Sequence, residues 1–155
     1  LTGREFLYFI GGLFRLPKSL THERIRELIE HFEIGSWVDR RTEDYSQGMR
    51  QRLTIAAALL HRPRTIVIDE PMVGLDPRSA KIVRETLRTE AEKGTSVFMS
   101  THSLAIAEEL CDSIGIIHNG KLIFSGSKEE VLQRTNSGKQ SLEDVFLQLT
   151  QEQDV

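Results

Sequence analysis

The hydrophobic rhythm of the chain changes near residue 64. Before it, apolar residues recur at helical spacing; after it, short continuous apolar runs alternate with amphipathic segments. Residues 1–38 read as helical. Thr2-Gly3-Arg4-Glu5 has the pattern of a capping box, Pro17 ends the first segment, and Thr21 is expected to cap a second, in which Ile25, Leu28, Ile29 and Phe32 follow i, i+3, i+4, i+7. Residues 39–46 are polar and loop-like. Ser46 then reads as the N-cap of a helix to about Leu60, with Leu53, Ala56, Ala57 and Leu60 on one face and Pro63 beyond its end.

Thr65–Asp69 and Thr95–Ser100 read as short strands of the kind buried on both faces of a parallel sheet. Between them Asp76-Pro77 predicts a cap with proline at the first helical position, and Gly94 a stop. A helix from about Ser103 to Cys111 follows. Asn119-Gly120 predicts a hairpin joining strands 113–118 and 121–125. Ser127 and Ser141 each precede an acidic first turn and read as caps of two closing helices, with 136–140 a flexible polar linker between them. The pattern divides the chain into a helical subdomain (1–60), an α/β core (61–135) and a C-terminal linker and helix (136–155).

Composition narrows the function classes. The 155 residues are 39% hydrophobic and 28% charged, enough apolar side chain for a buried core. The formal net charge is −3 and basic residues are dispersed, which argues against nucleic acid as a partner. One cysteine, Cys111, permits no internal disulfide and reads as a structural thiol. The apolar run Phe6–Phe14, bounded by Glu5 and Arg15, is about half the length a spanning helix needs, and no basic segment precedes it to make a signal peptide. The opening residue is Leu1 rather than methionine, which fits a fragment.

The candidate chemistry sits at element ends. Ile66-Val67-Ile68-Asp69-Glu70 is an apolar strand ending in two adjacent carboxylates, at the edge where parallel sheets bind ligands. One carboxylate can hold Mg²⁺ while the next orients an attacking water; alone, the pattern also fits a solvated strand end. Ser46-Gln47-Gly48 at a helix start offers backbone N–H groups and the positive end of a helix dipole to a phosphate, or is simply a cap. His102, past the second strand, is a candidate to contact a phosphate oxygen or the water, or is a surface residue. Gly74-Leu75-Asp76 is a turn that caps the next helix. No Gly-x-x-x-x-Gly-Lys-Ser/Thr loop is present. Asn136-Ser137-Gly138-Lys139 lacks its spacing, since Gln133 precedes Gly138 by five residues and Gln140 follows Lys139.

In order and spacing these elements resemble the nucleotide-binding subunit of ABC transporters, through almost the whole chain. Ser46–Arg52 is similar to the family signature motif, with Gln47 and Met49 where the common form has glycine and glutamine. Ile66–Glu70 resembles the Walker B strand, Gly74–Asp76 the D-loop and His102 the switch histidine. Ser141–Phe146 resembles tails of exporter-type subunits that pair with ABC-2-type permeases. The resemblance implies an α/β fold: a P-loop NTPase-like (RecA-like) sheet with an α-helical subdomain, the N-terminal part of the cassette, with Walker A and the Q-loop glutamine, missing. It further implies ATP and Mg²⁺ as cofactors, Asp69 for the metal, Glu70 and His102 as catalytic residues, and Ser46, Gln47, Gly48 and Asp76 as ATP-binding.

The partners implied are an ABC-2-type permease and a second nucleotide-binding subunit in a head-to-tail dimer, at the cytoplasmic face of the membrane. Closure around ATP would drive transport, in the export direction by subfamily resemblance. The expectation for these 155 residues alone is no ATPase activity and marginal stability, because the phosphate loop and the leading strands are absent. Phe6–Phe14 is apolar nearly all round and faces either the permease or preceding polypeptide. Chromosome-condensing and break-repair ATPases share the two main motifs but need a long coiled-coil insertion, and ribosome-acting relatives need a second cassette. A non-catalytic half-cassette that acts by interaction is the alternative.

Overall fold

A computed structural model describes residues 1–133 and 141–151. The chain forms two compact units, Leu1–Ser100 and Thr101–Val155. The first unit holds α1 (Gly3–Leu13), α2 (Lys18–His31), a single 3₁₀ turn (Thr42–Asp44), α3 (Gln47–Leu59), β1 (Thr65–Asp69), α4 (Pro77–Glu92) and β2 (Ser96–Ser100).

Local chemistry starts most of these elements. The hydroxyl of Thr2 accepts the Glu5 N–H at 3.2 Å while the Glu5 carboxylate accepts the Thr2 N–H at 2.8 Å, so both ends of a capping box are closed on α1. The second helix begins earlier than its pattern predicts. Pro17 is the N-cap, and Thr21 lies buried inside the first turn, its hydroxyl donating to the Pro17 carbonyl at 3.0 Å. The proline's fixed φ starts the helix without a side-chain cap. Helix also does not continue to residue 38. Beyond His31 the chain turns through Glu33, at φ +52°, and sets Phe32, Ile34, Trp37 and Val38 into the core without helical geometry.

Those side chains join Leu7, Ile25, Leu28, Leu53, Ala56, Leu60, Val83 and Leu87 in one apolar cluster. Two polar ties fasten α4 to the α2 end. Nε2 of His31 and Oγ1 of Thr86 share a hydrogen bond at 2.7 Å, and Arg78 pairs with Glu33 at 2.8 Å.

Strands β1 and β2 pair in parallel, Thr65 opposite Ser96 and Asp69 opposite Ser100. Ile66, Ile68 and Val97 pack into the helical core. Their alternates do not: Val67 is 74% and Phe98 67% exposed, and the two stand opposite each other in the register. Burial on both faces therefore fails for one face. An apolar run carries no record of whether a layer lies on one side or both, and among the described residues helices cover only one side.

The second unit contains α5 (Leu104–Leu110), β3 (Ser113–His118), β4 (Lys121–Ser127), α6 (Lys128–Gln133) and α7 (Leu142–Gln151). Asn119 and Gly120, at φ +49° and +74°, make the tight turn of an antiparallel hairpin. Ser127 with Glu130, and Ser141 with Asp144, exchange reciprocal hydrogen bonds that start α6 and α7. Ile114, Ile116, Phe124, Val131, Leu142 and Val145 form its core. Cys111 sits just past α5 against this cluster, where burial pushes its thiol up from the ordinary range, as suits a structural cysteine. The linker expected at 136–140 lies outside the described residues.

Candidate functional site

The site is built from two ends of the first unit that meet. One is the C-terminal end of β1. There the Ser100 hydroxyl donates a hydrogen bond to Oδ1 of Asp69, directly across the register, and the Ser100 carbonyl accepts the Glu70 N–H at 3.0 Å. Glu70 has φ +46°, a left-handed conformation that costs a non-glycine residue about 1–2 kcal/mol. It turns the chain out of the strand into a tight loop, with the Val73 N–H on the Glu70 carbonyl at 3.2 Å and the Leu75 N–H on that of Met72 at 3.3 Å.

The other end is the start of α3. Ser46 is in the extended region and its Oγ accepts the Met49 N–H at 3.3 Å, which leaves its hydroxyl proton to donate outward. The N–H groups of the first turn have no carbonyl one turn behind them and, with the helix dipole, favour an anion.

These ends touch through glycines. A Cβ on Gly48 would stand 2.9 Å from the Gly74 carbonyl oxygen, and a Cβ on Gly74, at φ +76°, would stand 2.6 Å from Cδ of Gln47. Gln51, one turn further along α3, donates from Nε2 to the Pro71 carbonyl at 3.3 Å. The start of α3 and the loop that follows Asp69-Glu70 thus pack directly against each other.

Behind the helix start, Trp37 stacks edge-on with Tyr45 at 4.8 Å, and the Arg52 guanidinium lies 5.2 Å over the Trp37 ring while donating to the Phe32 carbonyl at 3.3 Å. The spacing of the motif gave no sign of these supports, because Trp37 lies far from Arg52 in sequence.

Asp76 follows the loop and is committed to α4. Oδ1 accepts the N–H groups of Arg78 and Ser79 at 3.0 and 3.1 Å, and Oδ2 accepts the Ser79 hydroxyl at 2.6 Å. Those bonds, the Ser79 hydroxyl foremost, hold its carboxyl below the usual range. Asp69, Glu70, Ser46, Gln47, Gly48 and Asp76 all belong to the first unit, whereas His102 belongs to the second, where the Ser103 N–H donates to Oγ1 of Thr101 at 3.1 Å in the turn before α5. Motif spacing carries no sign of the long-range contacts that Ser100 and Gln51 make with Asp69 and Pro71.

The donor set fits a hard cation held by few protein oxygens. A carboxylate oxygen of Asp69 at an exposed strand end, beside a serine hydroxyl, suits Mg²⁺, which keeps waters and phosphate oxygens in its shell. Among the described residues no group of three or more His, Cys, Asp or Glu forms the cage that an all-protein metal site needs.

Residues 5–108 match the family described as "AAA domain, putative AbiEii toxin, Type IV TA system". The chain is 35% identical over 150 residues to the linearmycin resistance ATP-binding protein LnrL of Bacillus subtilis, covering 97% of this chain and 46% of that protein. It is 40% identical over 131 residues to the daunorubicin/doxorubicin resistance ATP-binding protein DrrA of Streptomyces peucetius, covering 84% and 40%. A solved structure of the ATP binding subunit of an ABC transporter superimposes with a TM-score of 0.90 at 31% identity, covering 97% of this chain and 62% of that one. The fold is that of the P-loop NTPases. The chain spans about half the length of the curated relatives it matches.

Proposed function

The chain belongs to the AAA-domain family and is a homologue of the ATP-binding subunits of ABC transporters, and from that premise we propose that it supplies the hydrolytic half of an ATP-driven transport engine. The observation that carries the proposal is the packing of the α3 start onto the loop that follows Asp69-Glu70, through Gly48 and Gly74. That arrangement couples an anion-binding helix end to a carboxylate pair in one rigid piece.

In this reading two nucleotide-binding subunits pair head to tail. Ser46 and Gly48 donate to the γ-phosphate held by the partner, with Gln47 and Asp76 lining the same edge. Asp69 holds Mg²⁺, which neutralises developing phosphate charge when bound. Glu70 orients the attacking water and accepts its proton, and His102 holds the water or a γ-phosphate oxygen. Catalysis is then positioning and charge stabilisation rather than covalent chemistry. The divisions 1–60, 61–135 and 136–155 correspond to the signature-bearing subdomain, the hydrolytic core and the tail.

The mechanical output passes to a separate permease of the ABC-2 type, and export is the direction favoured by two relatives named for drug resistance. No helix among the described residues is long and apolar enough to cross a membrane. In this reading the subunit lies peripherally at the cytoplasmic face, against its permease. Phe9 and Leu13, more than half exposed on one side of α1, offer an apolar contact for such a partner.

The test is Glu70→Gln in the native polypeptide that contains these residues, with whatever flanks them in its source. Steady-state ATP hydrolysis should fall by about 100-fold or more, while ATP binding persists and dimers accumulate. Wild-type turnover in this variant would remove Glu70 from the chemistry. Absence of hydrolysis in the unaltered polypeptide together with its permease would favour the non-catalytic half-cassette.

A further inference from the structure

We infer that Ser100 is a positioning residue for the carboxylate pair, setting Asp69 through its hydroxyl and Glu70 through its carbonyl. The inference rests on the reading of Asp69 as the cation-holding carboxylate. It goes beyond that reading because it assigns a role to a residue outside the motif.

The geometry is specific. Asp69 and Ser100 are register partners at the last position of the parallel pair, so the serine side chain stands beside the aspartate on the same face. Its hydroxyl donates to Oδ1 alone. The terminal torsion of an aspartate is broad and roughly two-fold, and an exposed carboxylate ordinarily samples it freely. A fixed donor on one oxygen stops that rotation and presents the second oxygen outward. The ordering is then in place before a cation arrives, so binding does not have to supply it.

The same residue acts on the neighbour. Glu70 adopts its left-handed φ while its N–H is held on the Ser100 carbonyl at 3.0 Å. That bond continues the β1–β2 ladder one step past Asp69, so the turn that aims Glu70 starts at a fixed point. Alanine at 100 keeps the carbonyl and loses only the hydroxyl. The two contributions are therefore separable by substitution.

The experiment uses the native polypeptide with its flanking sequence and measures Mn²⁺ binding by electron paramagnetic resonance with a non-hydrolysable ATP analogue present. Nucleotide affinity in excess chelator and the thermal midpoint are measured in parallel. Ser100→Ala should weaken Mn²⁺ binding by about tenfold, the usual scale for loss of a bond behind a metal ligand. Metal-free nucleotide affinity should not change, and Ser100→Thr, which keeps the hydroxyl, should restore most of the loss.

If Asp69→Asn weakens Mn²⁺ binding and Ser100→Ala does not, the inference about Ser100 falls and the reading of Asp69 stands. If Asp69→Asn has no effect, both fall. Should Ser100→Ala fail to fold, Ser100→Cys, with a weaker donor in the same place, is expected to show intermediate Mn²⁺ affinity, and wild-type affinity there would overturn the inference.

Discussion

Gly48 and Gly74 approach so closely that a Cβ on the first would stand 2.9 Å from the carbonyl oxygen of the second. Backbone meets backbone there, so a methyl group cannot be accommodated by a side-chain rotation. Gly48→Ala is expected to push the start of α3 off the 70–75 loop and to cost roughly 1–3 kcal/mol, the range for overpacking a tight contact. Gly12→Ala, at a position with no atom within 4 Å of the added Cβ, is the control and should be neutral or slightly stabilising. Urea unfolding of the two variants checks this, and a Gly48→Ala protein as stable as its parent would remove the packing argument.

Much of the local fold was legible in the sequence because its signals are local. Ser46, Asp76-Pro77 and Asn119-Gly120 each specify a cap or a turn within a few residues, and each performs that task in the fold. Ser100 was not legible as a partner of Asp69. The pairing depends on the register of two strands whose residues lie 31 apart, which spacing does not encode. The same holds for Trp37 under Arg52. Thr21 misled for a different reason: threonine is a good cap, but Pro17 had already started the helix four residues earlier.

The loop that leads into α3 hangs on one hydroxyl. Tyr45 is buried, and its single OH proton is shared among the carbonyls of Trp37 at 3.0 Å, Val38 at 3.2 Å and Arg40 at 3.3 Å. Tyr45→Phe keeps the ring against Trp37 and removes the hydroxyl, while the Trp37 and Val38 carbonyls keep the backbone N–H groups of Arg40 at 2.9 Å and Arg4 at 3.0 Å. The expected loss is therefore about 0.5–1.5 kcal/mol, the net worth of one hydrogen bond. Thermal unfolding measures it. An unchanged midpoint would mean that the backbone bonds alone hold the loop.

The two faces of β1 make opposite predictions for neighbouring residues. Ile66 is 4% exposed and packs among the helices, whereas Val67 is 74% exposed. Ile66→Ala in this chain should cost about 2–5 kcal/mol, as core truncations do. Val67→Ala should stay within about 0.5 kcal/mol, the range for surface substitutions. Paired denaturant titrations decide it, and equal costs at the two positions would show that the Val67 face is covered.

His61 should make the fold sensitive to mild acid. Its ring stacks on Phe14 at 3.7 Å with planes 5° apart, and its Nδ1 is buried with no hydrogen-bond partner among the described residues. Burial accordingly lowers its pKa below the ordinary histidine value. The unfolded chain, with a histidine near about 6.5, binds a proton in the range where the folded chain does not. Stability from this site is therefore fully present above the unfolded value and is lost as pH falls from there toward the lowered folded value. His61→Phe keeps the stack and removes the proton site. Its unfolding free energy, measured from pH 8 to pH 5, should decline less steeply than that of the parent. Parallel curves over that range would mean that protonation of His61 is the same in both states and that the buried nitrogen finds a partner in solution.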